Sequence, residues 1–374
     1  MVRCSVPNTG TVAGRHASFG REDGALKAIV IDSPNQIEFR DVEKPVCGPG
    51  DVLIKSAKAG LCRTDLELLQ GVVPEAWCRY PLIPGHEWSG TVAEVGADVT
   101  ELAVGDRVVS EGMIPCNHCK RCKEGATNLC ENYDQLGFTR AGGCAEYVVA
   151  PRHVVQRLPG DVSFESAVLV EPAAVVLHVI SRVKPLPGEA VGVVGIGTLG
   201  SIAVQILKLF GPRALIAYGI RAEELEFARR MGATHTVNVA EQDPEEATHK
   251  ILGEGTDLIV ETAGSPKAVK TALNTVRNGG RVGVLGIAGE DARLEIPSDY
   301  FVAKDAGVVG AFSYTTSIWS QVLRLVNNGL VNFDPIVTHR FAAQDFSKAY
   351  ELMDNRGTEV VAKIVLEHDQ SIPA

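Results

Sequence analysis

Residues 190–208 read AVGVVGIGTLGSIAVQILK: an apolar run, glycines at Gly195, Gly197 and Gly200, then apolar residues at helical spacing. That order leaves little freedom of fold. An apolar strand that passes through G-x-G-x-x-G directly into a helix is the start of a strand–helix–strand unit. The first glycine permits a tight turn, the second lets the backbone approach a pyrophosphate, and the third lets helix and strand pack closely. The helix N-terminus then presents unpaired amides to the phosphates, with Thr198 and Leu199 in the same turn. A glycine-rich turn used only for packing is the alternative; the flanking strand and helix favour a dinucleotide.

The same texture continues through ALIAYG (214–219), AEELEFARRMGA (222–233), DLIVETAG (257–264), RVGVLGIAG (281–289) and GVVGAF (307–312). These segments predict a doubly wound parallel sheet with crossover helices. Upstream, AIVID (28–32), QIEFRDV (36–42), DVLIKSAKAG (51–60), SGTVAEVG (89–96) and DRVVS (106–110) alternate or run apolar between Gly and Pro turns, as in an antiparallel, barrel-like domain. After Ser317 a helix and the strand-like THRFA and VVAKIVL segments return the chain to that first unit. The division expected is 27–178 with 317–374, then 179–316, after a solvated tail over 1–26. A chain of 374 residues with 45% hydrophobic content suits two cores better than one.

A net charge of −10, with both signs interspersed, argues against a nucleic-acid partner, which would need a basic face. Every apolar stretch is interrupted before the ~20 residues needed to span a bilayer, so no membrane partner and a cytoplasmic location are expected. Nine cysteines, an odd number, and no secretory apolar region at the start point to a reducing compartment.

Cys116, Cys119, Cys122 and Cys130 form a CxxCxxCx7C array in a Pro-, Asn- and Gly-rich stretch, with a lobe expected over 112–131. Thiolates so close in sequence repel or oxidise unless a tetrahedral metal neutralises them, so the array predicts a structural zinc.

Cofactor choice is read about 20 residues beyond the glycine turn, where an acidic residue would hold a ribose 2′-hydroxyl. That position is Gly219, with Arg221 two residues on. No carboxylate repels a 2′-phosphate there and a guanidinium can contact one, so NADP(H) is favoured; Glu223 and Glu224 keep NAD(H) open.

A second metal site is suggested by Cys62 in GLCRTD, His86 and Glu87 in PGHEW, and Glu171 in VEPAAV, a mixed donor set that leaves a ligand exchangeable. Singly, these could be a buried thiol, a core histidine and a helix N-terminal carboxylate.

With its GxCxxD, GHE, four-cysteine, EP and GxGxxG motifs in this order, the sequence from about 26 to 366 resembles the zinc-containing medium-chain dehydrogenases. The resemblance implies a GroES-like β-barrel catalytic domain, a Rossmann domain, and two zinc ions per chain, one catalytic and one structural. Glu171 stands where alcohol dehydrogenases carry a second cysteine, which resembles the polyol (sorbitol) dehydrogenase branch. Cys62, His86 and Glu87 would then bind zinc, with Glu171 bound directly or through water. Hydride would pass between carbinol carbon and nicotinamide, Thr64 would carry the proton, Asp65 would orient His86, and Arg63 would reach the cofactor phosphates. Glu67 replaces the histidine that often ends the relay. His339 and Lys363 fall near the cleft with open roles. PLIPGHEWSG and LGFTRAGGCAEY are locally similar to cyclitol and aminocyclitol dehydrogenases, and Trp77, Arg79, Phe138 and Arg140 lie in loops able to line a pocket for a small polar substrate. A threonine-type or simple secondary-alcohol dehydrogenase, and a non-catalytic zinc protein of the same fold, are the competing readings. A homodimer or homotetramer paired near GVVGAF is also implied.

Overall fold

The computed structural model describes residues 26–289 and 291–368. The tail expected over 1–26 lies outside the described residues except for Leu26, which opens a strand.

One sheet has six strands, all parallel, in the order His235–Asn238, Ala214–Gly219, Ala190–Val194, Thr256–Glu261, Val276–Val284, Gly307–Gly310. The chain winds outward in both directions from Ala190–Val194, so a crevice opens at the carboxyl ends of that strand and Thr256–Glu261. Ala190–Val194 and Ala214–Gly219 are buried at every position, as continuous apolar runs covered on both faces must be. The helices that flank Thr256–Glu261 in the chain begin where capping chemistry allows. Asp243 accepts from the amides of Glu245 and Glu246 before Pro244–Leu252, and Ser265 accepts from Ala268 before Pro266–Thr275.

The other sheet runs Val337–Ala342, Lys363–Glu367, Asp51–Leu61, Glu87–Val95, Arg107–Ser110, Val155–Arg157, with Tyr147–Pro151 also pairing with Asp51–Leu61. A hairpin, Leu26–Ser33 with Gln36–Val42, attaches through bridges at Ala28–Ala145 and Ile31–Leu82. The sheet is not wholly antiparallel as expected: Val337–Ala342 and Lys363–Glu367 are parallel neighbours. Helix Phe346–Asp354 lies between them, and such a crossover brings the chain back in the same direction.

Residue 178 falls inside helix Val170–Val183, and 317 at the head of helix Thr316–Asn327. The two helices pack together, and Trp319 and Val322 share a core with Val176, Val179, Val191 and Leu258. Both helices therefore cover the parallel sheet.

Register in the mixed sheet builds the site. Gly60 stands opposite Glu87 on one side and Val365 on the other, and Leu61 opposite Ile364. The next residues along, Cys62 and Lys363, are thereby brought to the same strand ends as Glu87. A Cβ on Gly60 would sit 2.6 Å from Glu87 Oε2, so its absence makes room for the carboxylate.

Candidate active site

Cys62 ends a strand and caps helix Arg63–Gln70. Its amide donates to Asp65 Oδ2 at 2.8 Å, and the Gly85 amide donates to Asp65 Oδ1 at 3.2 Å. Fully buried, Asp65 ties the Cys62 strand end to the turn carrying His86.

The donor atoms of Cys62, His86 and Glu87 lie within 4.8 Å of one another. His86 Nδ1 is 3.6 Å from Asp65 Oδ1, an ionic contact, and among the described residues has no hydrogen-bond partner. Burial disfavours the charged imidazole, but Asp65 and Cys62 outweigh it and hold the His86 pKa well above its ordinary value. Thiol, imidazole and carboxylate at this spacing fit zinc. Lys363 Nζ bonds Glu87 Oε2 at 2.5 Å and donates to the Leu61 carbonyl at 3.0 Å. One Glu87 oxygen is thus committed to a lysine.

Glu171, in the first turn of Val170–Val183, is buried beside this set, but its carboxylate is not part of the 4.8 Å group. Burial raises its pKa to about 7, with His86 opposing and Glu87 reinforcing the shift. Thr64 Oγ1 lies 3.7 Å from Cys62 Sγ. Glu67 follows one turn later on the same helix face and pairs with Arg63 at 3.9 Å; burial lifts its pKa and Arg63 counters. Arg63 also meets Asp354 at 3.6 Å, so its partners here are carboxylates rather than the glycine turn.

At the parallel sheet, Gly195 has φ +93°, and Gly200 packs so tightly that a Cβ would lie 1.9 Å from the Gly195 carbonyl oxygen. Gly197, by contrast, faces open space and precedes helix Thr198–Lys208 without a side-chain cap. Open backbone at an uncapped helix N-terminus suits a pyrophosphate. Leu199 packs on the core, and the Thr198 hydroxyl donates to the Ala362 carbonyl across to the other sheet. Glu261 accepts from the amides of Ala263, Gly264 and Gly286 and so fixes the loops around the crevice. Gly219 ends its strand; Arg221 meets Glu224 at 3.8 Å and the Glu359 carbonyl at 2.9 Å.

The sulfurs of Cys116, Cys119, Cys122 and Cys130 lie within 4.8 Å of one another, and none is in a disulfide. Amides of Cys116, Cys119 and Cys122 point at the sulfurs of Cys130, Cys116 and Cys119 at 3.4–3.5 Å. Amides directed at sulfur favour thiolate, and the four-sulfur set fits a structural zinc. The lobe rests on the segment before helix Thr316–Asn327: Asn128 donates to the Phe312 carbonyl at 2.8 Å, and the Thr316 amide to Thr127 Oγ1 at 2.9 Å.

The four loop residues expected to line one substrate pocket are separated. Phe138 stands edge-on to His86, ring centroids 5.3 Å apart, while Trp77 packs against Tyr133 and Phe312. Arg79 and Arg140 line a different cavity, whose walls include none of Cys62, His86, Glu87 and Glu171. His339 Nε2 is held by Glu359 at 3.1 Å. Sequence reasoning left Lys363 without a role and missed Glu261; a lysine inside the apolar VVAKIVL strand was the available signal, since it must find a counter-charge.

The family model of the alcohol dehydrogenase GroES-like domain matches residues 48–160, and that of the zinc-binding dehydrogenases matches 198–328. The chain is 33% identical to L-threonine 3-dehydrogenase of Shewanella oneidensis over 88% of its own length and 95% of the relative's. Its fold is similar to a zinc-binding dehydrogenase of Sinorhizobium meliloti solved with NADP bound (TM-score 0.87, 30% identity, 92% of this chain and 100% of that one). It is also similar to galactitol-1-phosphate dehydrogenase of Escherichia coli (TM-score 0.83, 28% identity, 91% and 99% covered). The two family models, together with a relative 33% identical over 88% of the chain, place the chain in the zinc-containing medium-chain dehydrogenase family of oxidoreductases.

Proposed function

We propose that the protein interconverts a secondary alcohol and its ketone on a polyol, cyclitol or sugar-like substrate, with NADP(H) as the hydride carrier. One observation carries this reading. Ala362 accepts the hydroxyl of Thr198 in the glycine turn, and Lys363, the next residue, bonds Glu87 in the candidate metal site, so the two candidate sites meet at consecutive residues of the chain.

Cys62, His86 and Glu87, with Glu171 beside them, would hold a zinc ion, which would supply a Lewis acid for the alcohol oxygen, and a nicotinamide in the crevice would supply the hydride chemistry. Thr64, next to Cys62 Sγ, receives the alcohol proton, and Glu67 on the same helix face carries it toward solvent. Asp65 holds the His86 ring in place, and Phe138 bounds the space beside it. Two buried carboxylates around the cluster favour a substrate rich in hydroxyls. Gly219 and Arg221 favour a 2′-phosphate, and the NADP-bound Sinorhizobium structure agrees with that preference. Exposed Val302, Val308 and Phe312 around the outermost parallel strand, Gly307–Gly310, support a homo-oligomer built along that edge.

A second reading, a threonine-type amino-alcohol dehydrogenase, is favoured by the threonine dehydrogenases of Shewanella and Escherichia fergusonii, each 33% identical. Steady-state turnover with NADP and NAD in parallel, over linear polyols, cyclitols, simple secondary alcohols and L-threonine, separates the two. Turnover of L-threonine alone would replace the first reading. A Gly219→Asp enzyme with an unchanged cofactor ratio would remove the argument for NADP.

A further inference from the structure

The cavity that takes Arg79 and Arg140 away from the active site has a volume of about 300 Å³, at the small end of the range for organic ligands. Val42, Leu82 and Pro81 give it apolar walls; Arg40, Arg79 and Arg140 give it three guanidinium groups. They are not equivalent. Arg40 is spent on Asp32, in a two-pronged pair at 2.9 and 2.6 Å, with Glu38 3.6 Å away. Arg140 uses only Nε, on Asp134 at 2.6 Å, and among the described residues its two terminal nitrogens have no partner. Arg79 has no carboxylate partner among the described residues. Its amide donates to the Phe138 carbonyl at 3.0 Å, which ties it to the loop that carries Arg140. Two guanidinium groups with uncommitted donors, above an apolar wall, are built for an oxyanion on an apolar stem.

We propose that this cavity is a second ligand site, distinct from the zinc and dinucleotide sites, that binds a small organic anion through Arg79 and Arg140 and seats its apolar body against Val42 and Leu82. The site touches the reaction centre through its wall. Thr139 and Ala141 line it, and the same loop bonds back to the His86 turn, the Gly142 amide to Ile83 and the Gly143 amide to the Gly85 carbonyl at 2.7 Å. An anion that draws Arg79 and Arg140 together therefore bears on the backbone that positions His86.

The test is calorimetric titration of the zinc-loaded, dinucleotide-saturated enzyme with butyl phosphate, pentanoate and inorganic phosphate. Saturable binding is expected for at least one organic anion, at least tenfold tighter than for inorganic phosphate, and the butyl phosphate and pentanoate arms tell a phosphate head from a carboxylate. Arg79→Ala should weaken that binding at least tenfold, Arg79→Lys should restore part of it, and Ala141→Phe, which fills the cavity without changing charge, should abolish it. Absence of binding, equal affinity for inorganic phosphate, or binding unchanged in both Arg79→Ala and Ala141→Phe overturns the proposal; the last would put the anion at the zinc instead.

Discussion

Lys363 and Glu87 form an ion pair with side chains 2% and 1% exposed, and the lysine comes from the C-terminal strand while the glutamate follows His86. Burial alone would lower the lysine pKa, but Glu87 and Cys62 reverse the shift, so the lysine stays charged. A buried pair of this kind costs most when broken on one side.

Lys363→Met should therefore destabilise the zinc-free protein by about 3–5 kcal/mol. The Lys363→Met/Glu87→Gln double variant should recover most of the loss, since no unpaired charge remains. Denaturant unfolding of the zinc-free forms measures both, and a double variant no more stable than the single one would refute the account.

The two cysteine sets should fail differently. Cys62→Ala is expected to reduce turnover at least a hundredfold while dinucleotide affinity, read by fluorescence, stays within about twofold. Cys119→Ala should instead remove one zinc per chain and lower the melting temperature by several degrees. Metal analysis of both variants checks the assignment, and a Cys119→Ala protein with full zinc and full stability would count against a structural site.

Gly197 offers a clean probe of the dinucleotide crevice, because a Cβ there meets nothing within 4 Å. Gly197→Ala should fold with an unchanged melting temperature yet bind dinucleotide at least tenfold more weakly, its methyl occupying the space of the pyrophosphate. Unaltered affinity would show that the phosphates lie elsewhere.

Glu111 makes stability depend on pH. Its carboxyl is 2% exposed, Oε1 has no partner among the described residues, and Oε2 accepts from the Thr316 hydroxyl at 3.1 Å. Burial pushes its pKa from 4.5 to about 8, with Thr316 opposing. The folded chain thus keeps a proton that the unfolded chain releases from about pH 4.5 upward. Its stabilising effect is complete below that value and fades as pH rises through about 8. Glu111→Gln should match the wild type near pH 4 and exceed it by about 3–5 kcal/mol at pH 9. A stability difference that does not grow with pH would exclude this role.

The sequence was most legible where local chemistry is decisive. QIEFRDV is a strand at the residues read for it, and the glycine turn sits between the strand and helix that its pattern requires. Both four-thiol spacing and the Cys62, His86, Glu87 set could be read because ligand chemistry narrows the options. What could not be read depended on register between distant strands. Nothing near Lys363 in sequence says that it faces Glu87, 276 residues away; only the pairing of both strands with Asp51–Leu61 does. The loops fared worst, since Trp77 and Arg79 share one loop and Phe138 and Arg140 another, yet the four point to three different places.

Ala362 and Lys363 are consecutive, yet the first is bonded to the glycine-turn helix and the second to Glu87 beside Cys62 and His86. A single peptide unit and one lysine side chain separate the two attachments. Lys363–Glu367 is also zipped to Asp51–Leu61 from Ile364 to Glu367, whereas the Thr198 hydroxyl bond is a single contact. Separating the glycine-turn helix from this strand would therefore break the Thr198 bond, and the Arg221 bond to Glu359, before it unzipped the pairing beside Cys62.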